Sequence, residues 1–168
     1  MRLHAVLRYP AEPARVVAML ADPGFQREVI AATHGTPEAV DVTGDPSGQG
    51  AFTVTTRRLM PTDQIPAQVR SFVGARLDVR QAIAWGAEDG GVRRGSVAVE
   101  IAGTPVRMTG TTHLVGTAEG TVVEYEGDVR APVPLFGAAV EDAAARAVRA
   151  ALEAEERVGR QWLARTGG

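Results

Sequence analysis

Residues 2–9 alternate, with Leu3, Ala5, Leu7 and Tyr9 on one side and Arg2, His4 and Arg8 on the other. A period of two predicts a strand. The next stretch, "YPAEPARVVAMLADPGF", changes period. Pro13 suits a first helical turn, where its missing N–H has no partner to lose. Val16, Val17, Met19 and Leu20 then form one apolar side. Asp22-Pro23-Gly24 reads as a break. A second short helix follows over roughly Phe25 to Thr33, offering Phe25, Val29 and Ile30, with Gly35 as its stop.

From residue 38 onward the period returns to two. Strands are predicted near 38–43, 51–58, 76–85, 92–102, 107–116 and 121–131, separated by the turn-like "GDPSGQG", "GAEDGG", "AGTP" and "GTAEG". Short connections imply antiparallel neighbours. One connection is long and greasy. Leu59 to Ala75 carries Leu59, Met60, Ile65, Val69, Phe72 and Val73, which predicts a short helix folded over something. The last 30 or so residues, Val133 to Leu163, take a helical period. The order of strand, two short helices, six strands and one long helix is that of an α+β fold. A curved antiparallel sheet of seven strands around the C-terminal helix, in one domain over 1–168, is the natural arrangement.

Parity sorts the strand residues into faces. Val123, Tyr125 and Val129 share one, as do Leu77, Val79, Gln81, Ile83 and Trp85. Phe52, Val54 and Thr56 go together, and Met108, Thr112 and Leu114 oppose Arg107 and His113. The inner set therefore contains four polar side chains, Thr56, Gln81, Thr112 and Tyr125. A buried polar group without a partner costs about 1–3 kcal/mol. These four must bond to one another, to water or to a ligand.

On the long helix, Val140, Ala144, Ala147, Val148, Ala151, Glu155, Val158 and Trp162 make one stripe. Asp142–Arg146, Glu153–Arg157 and Glu156–Arg160 are spaced as i, i+4 ion pairs off that stripe. Gly159 inside the helix costs about 1 kcal/mol against Ala, and a close approach of backbone to sheet would account for it. Glu155 is the one stripe residue of the wrong chemistry, since a buried carboxylate must be paired or protonated. It can lie at a pocket floor, pair with an arginine or reach solvent at the helix margin. The alanines have two readings: tight packing of helix on sheet, or a space that Phe52, Val79, Trp85 and Tyr125 leave unfilled.

Composition narrows the function classes. The chain has 18 basic residues, all Arg, and 20 acidic ones, for a net charge of -2. That balance excludes a general nucleic-acid binder. With no Cys, disulfides and thiolate chemistry are out. No run approaches the ~18 apolar residues of a membrane span. The first ten residues lack the apolar core of a signal peptide, so the cytoplasm is the expected location. His4, His34 and His113 read as surface residues, and no His spacing matches a metal site. None of Ser47, Ser71 and Ser96 sits in a nucleophile elbow.

The segment "LRYPAEPARVVAMLADPGF" resembles the entry of the START-like superfamily, which includes birch-pollen-allergen-like and polyketide cyclase-like proteins. The ending "RAPVPLFGAAVEDAA…LEAEERVGRQWL", with "IPAQVRSFVG" and the "RMTGT" strand, resembles an uncharacterised, mainly actinobacterial family within it. The resemblance covers essentially the whole chain. It implies a helix-grip fold, with a sheet gripping the C-terminal helix around a cavity, and it carries over no catalytic residue, cofactor or metal. The function it implies is binding of a hydrophobic or amphipathic small molecule such as a lipid, polyketide or aromatic. The expected contacts are Phe52, Val54, Val79, Gln81, Trp85, Thr112, Tyr125, Ala147, Ala151 and Glu155. A polyketide cyclase or dehydratase using Glu155 and Tyr125, and a protein-interaction module docking through Leu59–Ala75, stay open beside it.

Overall fold

The computed structural model describes residues 1–63, 65 and 67–167, with the side chains of Gln68, Ser71 and Phe72 outside the description. Phe72, one of the apolar positions of the long connection, thus lies outside the described residues. In chain order the elements are β1 (Arg2–Tyr9), α1 (Pro13–Leu20), α2 (Pro23–Ala32), β2 (Thr36–Gly44), β3 (Phe52–Pro61), α3 (Ala67–Val73), β4 (Arg76–Asp89), β5 (Val92–Ile101), β6 (Arg107–Thr117), β7 (Gly120–Arg130) and α4 (Gly137–Thr166). The predicted element order is the observed one, and the long connection does contain a short helix.

All seven strands form one antiparallel sheet in the order β1-β7-β6-β5-β4-β3-β2. Four short turns and the long connection bearing α3, between β3 and β4, build the meander from β2 to β7. β1 then adds to the far edge, where Leu7 lies opposite Val123 and Ala5 opposite Tyr125. The predicted parity holds. Leu3, Leu7, Phe52, Val54, Trp85, Leu114, Val123, Tyr125 and Val129 are all buried on the inner face. The opposite face is charged, with Arg57 gripping Asp78 at 2.9 Å.

Two helix boundaries differ from expectation. Asp22-Pro23-Gly24 does not merely break the chain; it starts α2. Asp22 is the N-cap, its carboxylate accepting from the backbone N–H of Gly24 at 2.7 Å and Phe25 at 3.3 Å, with Pro23 in the first turn. At the other end the left-handed residue is His34 (φ 61°), not Gly35. Gly35 is needed for space: a Cβ there would lie 2.8 Å from Met60 Sδ and 2.9 Å from Ile30.

α4 runs 30 residues, about 45 Å. It packs on β1, β7, α1 and α2. Its two halves differ. In the carboxyl half Ala154, Val158, Gly159 and Leu163 are buried, and Leu152 and Trp162 press on the main core with Phe25, Met19 and Leu20. In the amino half only Val140 and Ala145 are buried, each in a small separate cluster. Of the predicted stripe, Ala147 is exposed and Ala151 half-buried. Alanine side chains cannot choose a facing direction; Leu152, Val158 and Leu163 choose it for them. Gly159 is explained by the expected close approach of helix backbone to sheet, at the ring of Tyr9 on β1. A Cβ there would lie 2.5 Å from Cε1 of Tyr9 and 3.1 Å from the Met19 methyl.

Candidate functional site

Because α4 lies over β1 and β7, the inner face of β3, β4 and β5 has no helix directly upon it. The gap is a cavity of about 950 Å3. Its walls are Val79, Gln81 and Ile83 of β4, Val97 and Val99 of β5, and Ala143, Ala144, Ala147, Ala150 and Ala151 of α4. α3 contributes Val69 and Val73, the loop before it Ile65, and the β7–α4 loop Val133, Pro134 and Phe136. Met60, Ile65, Val69 and Val73 of the long connection therefore face the cavity. Among the described residues Leu135 is the one large hydrophobic side chain exposed to solvent, at 96%. The volume lies near the top of the ~300–1,000 Å3 range of small-molecule sites.

Polar groups gather at one place on this apolar wall. Glu155, 7% exposed, points inward from α4. The Tyr125 hydroxyl donates to its Oε1 at 3.2 Å, and the Tyr9 hydroxyl more weakly at 3.5 Å. Burial pushes the Glu155 pKa up to about 7, against the opposing pull of the two phenols and of the Arg58 charge. Burial, and then the nearby carboxylate, raise both phenols well above their ordinary values. On β3, Arg58 extends into the cavity. Its guanidinium donates to Thr56 Oγ1 at 3.2 Å and to Gln81 Oε1 at 3.3 Å. Burial lowers its pKa, partly offset by Glu155. Thr112 lies beside Tyr125, but its hydroxyl is buried without a partner in hydrogen-bond geometry.

The cavity brings together Val79, Gln81, Tyr125, Ala147, Ala151 and Glu155 among the expected contacts. It does not include Phe52, Val54, Trp85 or Thr112. Phe52 and Trp85 stack at 6.3 Å, and the Arg93 guanidinium sits 5.4 Å over Phe52 while bonding the carbonyls of Gly48, Gly50 and Gly86. Val54 packs in the same core. These residues fill the far end of the sheet, so the space beside the alanines opens elsewhere. Arg58 was missed, although the parity of Phe52, Val54 and Thr56 places it on the inner face. His34 is exposed, as read from the sequence, and also borders the cavity.

His4 and His113 do lie on the outer face. They approach the two oxygens of Glu124 at 2.5 and 3.1 Å. His4, Glu124 and Glu126 are the one group among the described residues with cation-ligating atoms close together, within 4.8 Å. Spacing along the chain could not reveal it, because its members come from different strands. It lies across the sheet from the cavity, and ion pairing accounts for it.

A family model described as "protein of unknown function (DUF2505)" matches residues 4–163. The chain belongs to the DUF2505 family. Its fold is the helix grip seen in several solved structures. The Zhui aromatase/cyclase from Streptomyces sp. R1128 superposes with a TM-score of 0.57 at 13% identity, covering 100% of this DUF2505 chain and 98% of the other. A STAR-related lipid transfer protein from Xanthomonas axonopodis gives 0.57 at 15%, covering 95% and 85%. Ara h 8.0201 gives 0.51 at 13%, covering 94% and 97%. No curated protein matches the chain. Among the described residues no helix is long and apolar enough to cross a membrane.

Proposed function

We propose that this DUF2505 protein binds a hydrophobic or amphipathic small molecule between the sheet and the amino half of α4. One observation carries the reading: a cavity of about 950 Å3, walled by valines and alanines, with its buried polar groups gathered around Arg58 and Glu155. Small-molecule sites have this make-up of apolar walls and a few placed polar groups. Val79, Gln81, Tyr125, Ala147, Ala151 and Glu155 are then ligand contacts, with Arg58 added.

A ligand that binds only the native state raises its stability. Fatty acids, long-chain alcohols and fused-ring aromatics are therefore expected to raise the melting temperature, and native mass spectrometry is expected to find a small molecule retained by the purified protein. Ala147→Phe puts a ring into the cavity from a position outside the core. It is expected to keep the fold and to abolish these shifts. If no compound moves the melting temperature and nothing is retained, the cavity is not a binding site.

The near-neutral pKa of Glu155 favours a second reading, as an acid/base catalyst with Tyr125, because proton transfer is best served by a group titrating near the working pH. In that case Glu155→Gln would keep binding and lose turnover. Unchanged turnover of a bound substrate in that variant would remove the catalytic role.

A further inference from the structure

The cavity is electrostatically unlike the protein around it. The whole chain carries a net charge of -2. Yet the cavity is lined by four arginines, Arg58, Arg107, Arg146 and Arg157, and by two acids, Asp63 and Glu155. Arg146 is paired with Asp142 one helical turn away. Arg107 and Arg157 are exposed and hydrated. Arg58 is different. It is turned inward between β3 and β4, and its hydrogen bonds go to neutral oxygens of Thr56 and Gln81. Among the described residues no carboxylate lies within the 4.0 Å of an ion pair. Glu155, the nearest buried acid, is held by the two tyrosines instead.

A half-buried guanidinium without an ion-pair partner is costly, and it has five N–H donors in a fork that fits a carboxylate. Thr56 and Gln81 hold that fork in place without neutralising it. Resting on the binding reading above, we propose that the ligand is an amphiphile with a single-charged carboxylate head, which pairs with Arg58 while its apolar body lies along Val79, Val97, Val99 and the alanines of α4. A monoanion matches one guanidinium. A phosphate monoester would bring up to two charges into a site with one inward-facing cation and with Glu155 close by.

The test compares ligands of one chain length and three heads: hexadecanoate, hexadecanol and hexadecyl phosphate, by calorimetry near neutral pH. Hexadecanoate is expected to bind at least about tenfold more tightly than hexadecanol, the value of one charge-assisted contact. In Arg58→Gln that advantage disappears, and a cooperative thermal melt shows that the variant is folded. In Arg58→Lys, which keeps the charge but not the fork, part of it returns. Equal affinity for acid and alcohol in the native protein, tighter binding of the phosphate, or an advantage surviving in Arg58→Gln each overturns the proposal and leaves the cavity a binding site. Failure of all three heads to bind overturns the binding reading as well.

Discussion

Glu155 holds its proton because burial leaves its carboxylate poorly hydrated. An unfolded chain ionises a glutamate near ~4.3, whereas the folded protein keeps this one neutral up to about pH 7. Between those values the native state binds the extra proton. Stability is therefore fully present below the unfolded value and is lost as pH rises through the folded one, by roughly 3 kcal/mol in all. Asp45, Asp78, Glu124 and Glu141 have pKa values below the ordinary range and so titrate under that window. Urea titrations at stepped pH should show stability falling from about pH 5 to pH 7.5, and Glu155→Gln should flatten the fall. A native protein with no slope there would mean that the carboxyl is solvated. The oddity of Glu155 was legible in the sequence, since a lone acid broke an apolar stripe. Its partners were not, because Tyr9, Tyr125 and Arg58 come from three strands that only the sheet brings together. Arg58 was half legible: the parity of Phe52, Val54 and Thr56 turns it inward, but an arginine on a strand is ordinarily solvated.

At the scale of elements, α4 shows what a pattern can and cannot say. A helix was plain from the spacing, and so was its lack of a side-chain cap, which Phe136 at the N-cap does not supply. Which face it buries was blurred wherever the stripe was alanine. In the carboxyl half, bulk sets the contact, and there Gly159 is the tightest point. The Tyr9 ring lies where a methyl would go. Gly159→Ala gains the helix propensity of alanine, about 1 kcal/mol. It must also displace a tyrosine that is 2% exposed, and overpacking of that kind costs about 1–3 kcal/mol. The net expectation is a lower denaturation midpoint and a Tyr9 hydroxyl moved off Glu155, read as a shift in the pH dependence above. A variant more stable than the native protein, with that dependence intact, would show that Tyr9 has room to yield.

At the scale of the molecule, the long helix and the sheet do not meet evenly. Turn residues announced four of the meander's five connections, so most of the topology could be read locally. The addition of β1 to β7 could not, as it joins residues more than a hundred apart. It was the resemblance to a known superfamily that tilted the alanines toward a cavity. The same unevenness bears on how anything enters. Tyr9 lying against Gly159 leaves no slack for α4 to slide along the sheet, and Arg165, gripping Glu28 at 2.9 Å, ties the end of the helix to α2. The carboxyl half is then a post packed into the main core, and the amino half an arm on smaller clusters, held at its start by Glu141, which accepts from the Met1 amino group and the Ala131 N–H. Hydrogen exchange should register the difference as amides of Ala143–Ala151 opening well before those of Val158–Leu163. Equal protection along the helix would mean that the arm is as rigid as the post, and that entry belongs to α3 alone.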